Sequence, residues 1–422
     1  MRKTALAVAV GGLFIAPAAQ AQIVFGSDTI GTMQIYGKLY PEVIWAESKN
    51  PTQTGASVST LASPTGVCGS SSSTGGCTGA TAGSRVAVDS QNSYLGFRGE
   101  RRLGNTGLKA IWQIEQSVEL DTGTGTFSNR NSFVGLNSGF GTVKLGNMDT
   151  IYKEYGQVEE IFGLTSGNFI SPSNVLSQIG IGNNKAARFH ERAPNSIQYQ
   201  TPVIAGFEAG LQYSPDETKN DVGNTLNKAL WSTGVKWQTG PLYLAAEYEL
   251  HKDFFGGSTN ISSTLANNSA AGLAAGAHSR DTGARLSAAY QFGRHRIAGD
   301  IARLKYEETG QQAGVHFVEY KHVTFAVSFE SKWGGPWRTA IEWVRGTKGS
   351  CALTVGSCST DGLTGDLIGG GVAYDFDQQT FVYAIAAQLR NGASALYSNW
   401  AASKPNRGAD ITQLAVGIAY RF

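Results

Sequence analysis

Long apolar runs are almost missing from this sequence. Beyond residue 21 no stretch contains the ~20 consecutive apolar residues that a membrane-spanning helix needs, which excludes a bundle of transmembrane helices. Charged residues are also sparse, at 16%, and prolines number only 11, whereas glycines number 54. Glycine weakens helix interiors and is better tolerated in strands and tight turns. The composition therefore argues against a mainly helical protein and favours β-structure.

An excess of charge of one sign is missing too. Lysine and arginine number 34 against 32 acidic residues, for a net charge of +2, and no basic run is interleaved with aromatic residues on a strand face. A nucleic-acid-binding surface needs such a basic patch. We therefore expect no nucleic-acid partner.

Signatures of catalysis are weak or absent. The sequence has no G-x-S-x-G motif, and its six histidines follow no triad pattern. The Asp-Thr-Gly triplet of aspartic proteases occurs at residues 121–123 and 281–283, but both copies lie where a predicted strand meets a polar loop. Turn chemistry explains such triplets without catalysis. The sequence predicts no enzyme activity and no cofactor.

The first 21 residues have the order of a secretory signal. The chain starts with the basic Met-Arg-Lys, continues with an apolar stretch over residues 4–16, and reaches a small-residue cleavage site at Ala19-Gln20-Ala21. A single membrane anchor is the alternative, but the apolar stretch is too short for a spanning helix and Pro17 interrupts its end. We expect a signal peptide over residues 1–21 and a single mature domain over residues 22–422, beginning at Gln22.

Apolar residues recur with a period of two. In the last segment the residues that share the apolar face are Leu414, Val416, Ile418, Tyr420 and Phe422, and small or polar residues alternate with them. The same alternation occurs at 207–213, 242–250, 337–343 and 381–389, where it predicts an outward apolar face made of Phe381, Tyr383, Ile385, Ala387 and Leu389. A soluble β-sandwich also alternates, but its strands are shorter and its outer face carries charge rather than glycine and alanine. The pattern predicts an all-β fold, a transmembrane antiparallel β-barrel.

Connections of two lengths alternate along the chain. Short, turn-rich segments occur at residues 104–107, 137–141, 239–241, 334–336 and 375–379. Eight long polar segments alternate with the short turns, at residues 47–84, 122–129, 149–187, 216–228, 254–279, 307–315, 349–362 and 392–408. Eight long loops imply sixteen strands. Because outer-membrane barrels have short periplasmic turns and long external loops, both chain ends are predicted on the periplasmic side.

The four cysteines form two pairs that are close in sequence. Cys68 and Cys77 lie in one predicted external loop, and Cys351 and Cys358 lie in another. We expect two local disulfides, because an exported chain meets an oxidising compartment. Zinc binding is the alternative, although neither pair has the C-x₂₋₄-C spacing and no histidine lies between the members of a pair. We predict no metal site.

Several motifs, in order along the chain, resemble those of Gram-negative general porins of the β-proteobacterial type. They include Ser93-Tyr94-Leu95-Gly96-Phe97-Arg98-Gly99-Glu100, Trp112-Gln113-Ile114-Glu115, Val134-Gly135-Leu136, Pro194-Asn195-Ser196-Ile197-Gln198-Tyr199 and the terminal Ala419-Tyr420-Arg421-Phe422. The resemblance implies a homotrimer of sixteen-stranded barrels in the outer membrane. Each protomer would enclose a water-filled pore for small hydrophilic solutes and ions, narrowed by a long third external loop that folds inward.

The resemblance places the acidic side of the constriction in the segment from Asp149 to Ala187. Its acids are Asp149, Glu154, Glu159 and Glu160. The segment Glu160-Ile161-Phe162-Gly163 is similar to the Pro-Glu-Phe-Gly turn of porin constriction loops. Acids on an inward loop facing bases on the wall would set up a field across the pore that separates the paths of cations and anions.

Candidate bases face this loop. Strand parity directs Lys38, Arg98 and Lys109 toward the lumen, and Arg85, Arg98 and Arg130 match basic positions of the family's motifs. The direction of Arg130 stays open, because both parities of its strand contain apolar residues. The family usually carries arginine where this chain has Asn147, which weakens any inference of a strong anion preference.

Three functions follow from these expectations. The first is a general diffusion porin. The alternatives are a substrate-specific channel with a defined solute or anion site, and a structural barrel with a closed lumen. The resemblance also implies contacts with membrane lipid and lipopolysaccharide, and recognition of the terminal Phe422 by the barrel-assembly machinery.

Overall fold

The computed structural model describes residues 23–27, 31–53, 56–62, 84–164, 167–217, 226–269, 272–311, 313–399 and 406–422. The proposed signal peptide at 1–21, Gln22, Cys68 and Cys77 lie outside these residues. Within the described ranges no helix is long and apolar enough to span a membrane.

Strands dominate the described structure. They are β1 (Ile23–Ser27), β2 (Gly31–Leu39), β3 (Glu42–Lys49), β4 (Arg85–Asp89), β5 (Tyr94–Arg102), β6 (Lys109–Ser117), β7 (Ser132–Ser138), β8 (Gly141–Asp149), β9 (Arg192–Gln200), β10 (Phe207–Pro215), β11 (Ala229–Thr239), β12 (Leu242–Lys252), β13 (Asn268–Ser269), β14 (Gly272–Leu273), β15 (His278–Phe292), β16 (His295–Thr309), β17 (Phe317–Lys332), β18 (Trp337–Gly346), β19 (Ser350–Leu353), β20 (Gly365–Asp375), β21 (Thr380–Asn391) and β22 (Asp410–Arg421). Two short α-helices also form, α1 (Ile151–Tyr155) and α2 (Ser173–Leu176). Two single turns of 3₁₀-helix lie at Lys185–Ala187 and Ser258–Asn260.

These strands close into a sixteen-stranded antiparallel barrel, as the sequence predicts. Three barrel positions are occupied by interrupted strands: β2 with β3, β4 with β5, and β18 with β19. β1 pairs with β2 beyond the end of β22, and β13 with β14 form a small separate hairpin. The sequence pattern did not predict either of these additions.

The barrel closes where the last strand meets the first. β22 pairs with β3 from Asp410 opposite Lys49 to Gly417 opposite Glu42, and then continues onto β2. At the end of the seam, the amides and carbonyls of Phe422 and Gly37 exchange hydrogen bonds of 2.9 and 3.1 Å. The C-terminal residue therefore completes the ladder.

The two faces of the wall differ as the period of two predicts. In β12 the outward Leu244 is 40% exposed, whereas the inward Glu247 is 4% exposed. β10, β18 and β22 show the same division, with apolar side chains outward. A hydrocarbon-facing surface and a polar interior follow directly from this alternation.

The predicted orientation of β21 is wrong. Its apolar row of Phe381, Tyr383, Ile385, Ala387 and Leu389 is buried inside the barrel, at 5% exposure or less, instead of facing lipid. The cause is an apolar segment that covers this part of the inner wall, since the row packs in one cluster with Ile161, Phe169 and Ile170. An inward strand face that protein covers can be as apolar as an outward face that lipid covers. Parity alone therefore cannot distinguish the two faces.

Connections alternate in length along the barrel. Turns at 103–108, 139–140, 201–206, 240–241, 293–294, 333–336 and 376–379 join strands at one end, and all longer connections lie at the other end. The longest connection whose course is almost wholly described runs from residue 150 to residue 191, and we call it loop 3. The loop between β18 and β20 contains a disulfide between Cys351 and Cys358, which confirms that predicted pair.

Candidate functional site

Loop 3 starts with a capped helix that is fixed to the inner wall. The Thr150 hydroxyl caps α1 by accepting a hydrogen bond from the Lys153 amide. The Tyr152 amide donates to the Ser232 hydroxyl of β11 at 2.9 Å, and the Tyr155 hydroxyl donates to Glu208 of β10 at 2.7 Å. The helix therefore lies against lumen-side groups of two neighbouring strands.

A buried arginine supports the end of this helix. Arg285 of β15 has no exposed side-chain surface, and its Nε lies 3.4 Å from Glu247 and 3.8 Å from Asp300. Its guanidinium stacks 4.0 Å from the centre of the Tyr152 ring and donates to the Tyr152 carbonyl. A Cβ at Gly156 would overlap this guanidinium, so the chain needs glycine there. The two neighbouring carboxylates offset the free-energy cost of burying the arginine charge.

The next part of loop 3 follows the wall through backbone hydrogen bonds. Asp300 of β16 accepts from the amides of Gln157 at 3.3 Å and Val158 at 3.0 Å. Glu330 of β17 accepts from the Phe162 amide at 2.9 Å. These carboxylates accept hydrogen bonds from loop 3 amides that have no partner in a helix or a strand.

Loop 3 then crosses to the seam side of the barrel. The Asn168 side chain donates to both carboxylate oxygens of Glu42 in β3 at 3.2 Å, and the Tyr383 hydroxyl donates to the same carboxylate at 2.8 Å. The Thr324 hydroxyl of β17 donates to the Leu176 carbonyl at 2.7 Å. Loop 3 thus contacts lumen-side groups from β10 around to β3, and it spans the interior.

The loop between β21 and β22 holds the outer end of loop 3. The buried Arg407 guanidinium donates to the Ile181 carbonyl at 3.1 Å, and the Asn399 side chain donates to the Phe169 carbonyl at 3.0 Å. Burial lowers the pKa of Arg407 to about 10, which still leaves it charged at neutral pH. Burial also lowers the pKa of His190 well below its ordinary value, so this loop 3 imidazole stays neutral.

Basic and aromatic side chains alternate along the lumen wall opposite α1. We call this row the basic wall; it consists of Arg98, Tyr36, Arg130, Tyr94, Lys38, Tyr40, Arg421, Phe381 and Arg338. Each base in the row lies 4.6 to 5.7 Å from the centre of at least one aromatic ring of the row. The ring faces attract the cations and restrict their rotamers. The basic wall is therefore a line of basic side chains that aromatic rings hold in place inside the barrel.

Hydrogen bonds fix the basic wall further. Arg421 donates from Nε to the Tyr40 hydroxyl at 2.6 Å. Arg130 donates to Asn92 at 2.6 Å and lies 3.5 Å from Glu115, which also accepts from the Tyr36 hydroxyl. Because Glu115 and Tyr94 face the lumen, these contacts direct Arg130 inward, a direction that its own strand pattern left open.

The four acids of the predicted constriction segment occupy different environments. Glu160 accepts from the Gln157 side chain at 2.6 Å and lies close enough to Lys38 and Arg296 to interact with them electrostatically. Glu159 is fully buried, and neither of its carboxylate oxygens has a hydrogen-bond partner among the described residues. The remaining two acids, Glu154 and Asp149, contact the wall: Glu154 accepts from Gln200 at 2.7 Å, and Asp149 pairs with Arg192 at 2.9 Å and with Lys153 at 3.1 Å.

The structure places the remaining predicted bases away from loop 3 or on its margins. Arg85 lies on the inner face of β4, opposite Ala46. Lys109 pairs with Glu100 at 2.8 Å, next to the short turn that follows β5. Within the described residues no group of three or more histidine, cysteine, aspartate or glutamate side chains could hold a metal ion.

Three bases of the interior were not among the predicted site residues. Arg421 shares the inner face of β22 with Gln413 and Ala419, the face that the period of two directs toward water. Arg338 contacts the Phe162 ring of loop 3 at 5.4 Å, and Arg296 donates to the Val158 carbonyl. These last two contacts depend on the path of loop 3, which no local pattern reveals.

Comparisons with known proteins agree with this architecture. A family model described as Gram-negative porin matches residues 4–422. The major outer membrane protein P.IB of Neisseria lactamica is 34% identical over 138 residues, or 33% of this chain and 38% of that protein. The P.IB protein of Neisseria gonorrhoeae is 37% identical over 139 residues, or 33% of this chain and 36% of that protein. The chain therefore matches less than half the length of these relatives.

A solved structure extends the similarity to the whole barrel. The anion-selective porin from Comamonas acidovorans superposes with a TM-score of 0.64 at 20% identity, covering 93% of this chain and 100% of that chain. At this identity the likeness establishes the fold.

Proposed function

Because the chain belongs to the Gram-negative porin family, we propose that it forms a water-filled channel for passive diffusion of small hydrophilic solutes and ions across the outer membrane. One observation carries the proposal. A closed barrel holds a line of bases on its inner wall, and Glu160 of loop 3 lies within electrostatic reach of that line. The family is one of channels and not of enzymes.

The geometry separates charges across the lumen. Glu160 supplies negative charge from loop 3, while Arg130 and Arg421 supply positive charge from the basic wall. A low-dielectric wall strengthens the field between them, so a dipolar solute is oriented and an ion is drawn toward the side of opposite charge. This field persists only if the charged groups stay in place. The aromatic rings of the basic wall hold the bases, and the contacts between loop 3 and the inner wall hold Glu160.

Reconstitution into planar bilayers tests the proposal. We expect large, ohmic openings that micromolar solutes do not block. Openings in groups of three equal steps would support the homotrimer that we also propose. Absence of conductance from a correctly folded barrel would contradict the proposed channel and favour a structural barrel with a closed lumen.

A channel with a defined anion site is the second candidate. The observation that favours it is the local excess of bases, because Lys38, Arg130 and Arg421 lie near each other and the acids within reach of them are Glu160 and Glu115. The solved structure with a similar fold is described as an anion-selective porin, in line with this candidate. Saturable block of the ionic current by one anionic solute at micromolar concentration would favour this candidate over general diffusion.

Export and assembly complete the proposal. We propose that the signal peptide is removed after Ala21, that the loops containing the cysteines face the outside, and that the short turns face the periplasm. Lipid and lipopolysaccharide would surround the barrel, and the barrel-assembly machinery would recognise the terminal Phe422. N-terminal sequencing of the protein from outer membranes tests the cleavage site directly.

A further inference from the structure

The connection between β3 and β4 reaches over the loop-end opening of the barrel. Its residues 56–62, which we call the strap, contain two buried positions close to Leu61. The Leu61 carbonyl accepts a hydrogen bond from the Ser262 amide at 3.4 Å. Ser262 belongs to the connection between β12 and β15, so this bond joins two connections that are far apart in sequence.

These two connections start from opposite sides of the barrel. One joins the first and second of the sixteen strand positions, and the other joins the ninth and tenth, which is half of the circumference away. The direct route between such points runs over the lumen. Loop 3, which lies inside the barrel, packs in the same buried cluster as Leu61. The strap therefore lies over the opening, on the loop-end side of loop 3.

Leu61 is the apolar anchor of the strap. Its side chain is fully buried in one cluster with Ile179 and Ile181 of loop 3, Ile261 of the connection between β12 and β15, and Leu363 of the connection between β18 and β20. Three connections besides its own thus enclose this leucine. Burial of one leucine side chain shifts an equilibrium between docked and free states by at least about tenfold.

Hydrogen bonds align the residues that precede Leu61. The Ser59 amide donates to the Ser394 hydroxyl at 2.7 Å, and Ser394 lies between β21 and β22. The Thr60 amide donates to the Ser359 carbonyl at 3.0 Å, and the Ser359 amide donates in return to the Thr60 hydroxyl at 2.9 Å. Backbone and side chain of the strap are therefore both bound to neighbouring connections.

The disulfide between Cys351 and Cys358 ends one residue before Ser359. Cys351 lies in β19 opposite Tyr320 of β17, so one end of the disulfide is fixed in the wall. Both cysteines also pack against the cluster that contains Leu61. A covalent link from the wall to the neighbour of Ser359 limits how far that residue can move. The disulfide therefore positions the group to which the strap is bound.

We propose that the strap is a second size filter, in series with loop 3, and that Leu61 and the disulfide hold it in place. A solute that enters from the loop end passes the strap before it reaches loop 3. Residues 56–62 contain no charged side chain, so the strap selects by size and leaves the selection by charge to the interior. The inference rests on the proposed function, because a filter requires a water-filled channel.

Liposome swelling with neutral saccharides tests the filter, because it measures permeation without a contribution from charge. The readout is the swelling rate with a tetrasaccharide relative to the rate with a monosaccharide. We expect Leu61→Ser to raise this ratio at least about threefold, because the strap loses its buried anchor. The reversal potential in a salt gradient should stay at the wild-type value. The Cys351→Ser, Cys358→Ser double variant should raise the ratio by a smaller factor.

Two further variants serve as controls. Leu61→Met keeps an apolar side chain of similar volume and should keep the wild-type ratio. Leu120→Ser makes the same chemical change at a leucine that is 47% exposed between β6 and β7, and it should also keep the wild-type ratio. Hydrogen exchange of residues 56–62 should rise in Leu61→Ser and stay unchanged in both controls.

Three results would overturn the proposal. They are an unchanged saccharide ratio in Leu61→Ser, unchanged exchange of residues 56–62 in that variant, and a rise of the ratio that Leu120→Ser reproduces. Wild-type conductance together with any of these results would refute the filter alone. Absence of conductance in the wild type would instead refute the channel itself.

Discussion

The backbone amide of Val158 donates a hydrogen bond to a carboxylate oxygen of Asp300 at 3.0 Å, which joins loop 3 to the inner wall. The neighbouring amide of Gln157 donates to the other oxygen of the same carboxylate at 3.3 Å. Two consecutive amides thus depend on one side chain. A substitution of Asp300 therefore tests whether the position of loop 3 controls permeation.

We expect Asp300→Ala to loosen loop 3 without unfolding the barrel. The change leaves two buried amide donors unsatisfied, at about 1–3 kcal/mol each, so the segment around residues 156–162 should detach from β16. Single-channel recordings should show a changed conductance with greater open-channel noise. Hydrogen exchange of that segment should rise in parallel.

Asp366→Ala is the matched control, because Asp366 lies on the outer face of β20 and pairs with Arg345 at 3.2 Å, away from loop 3. It should leave both the noise and the exchange unchanged. Wild-type noise and exchange in Asp300→Ala would show that other contacts are enough to hold the loop.

Tyr94 tests whether aromatic rings position the basic wall. Its ring lies 4.8 Å from the Arg130 guanidinium and 5.6 Å from the Lys38 ammonium. Tyr94→Leu removes both cation–π contacts, worth about 0.5–1 kcal/mol each, and lets the two bases move. We expect the ratio of anion to cation permeability, measured as the reversal potential in a salt gradient, to fall by about twofold.

Tyr94→Phe supplies the control, since it keeps the ring and removes only a hydroxyl. Its reversal potential should match that of the wild type. An equal change in both variants would assign the effect to the hydroxyl and would contradict a role for the ring face.

Local patterns were enough to predict most of the wall. The period of two placed Lys38, Arg98 and Lys109 in the lumen, because one face of each strand must be apolar wherever lipid covers it. The alternation of short turns and long loops predicted the number of strands. These inferences depend only on neighbours in sequence and on the solvent at each face.

The period of two was insufficient wherever loop 3, rather than water, covers the inner wall. The inner face of β21 is apolar because loop 3 packs on it, so Phe381 and Tyr383 resembled lipid-facing residues. Arg296 and Arg338 became part of the site only through contacts with loop 3. Such contacts join residues more than a hundred positions apart, and no window of sequence contains both partners.

Glu160 and Glu159 are adjacent, yet the structure predicts opposite consequences for them. Glu160→Gln removes the acid that faces Lys38 and Arg296, so the reversal potential should shift toward greater anion permeability. Glu159→Gln replaces a fully buried carboxylate that has no hydrogen-bond donor among the described residues. We expect it to leave selectivity unchanged and to raise the free energy of unfolding by about 1 kcal/mol or more.

The two measurements are made on the same pair of variants. Reversal potentials report selectivity, and urea-induced unfolding in detergent reports stability. A shift of the reversal potential in Glu159→Gln as large as that in Glu160→Gln would show that Glu159 also acts on permeating ions.

Phe422 combines two properties that variants can separate. Its backbone exchanges two hydrogen bonds with Gly37, and its ring stacks on Tyr420 at 5.8 Å and would collide with any Cβ at residue 37. Deleting Phe422 removes both the closing hydrogen bonds and the aromatic ring. Phe422→Ala removes the ring alone and keeps the closing backbone pair.

A role as an assembly signal predicts a specific difference between folding in detergent and insertion in cells. Phe422→Ala should fold in detergent with nearly wild-type thermal stability and conductance, because the seam keeps its backbone ladder. Its yield in outer membranes should nevertheless fall several-fold, as should that of the deletion variant. Normal membrane yield of Phe422→Ala together with a poor yield of the deletion would assign the role of Phe422 to closing the seam, since only the deletion removes the pairing with Gly37.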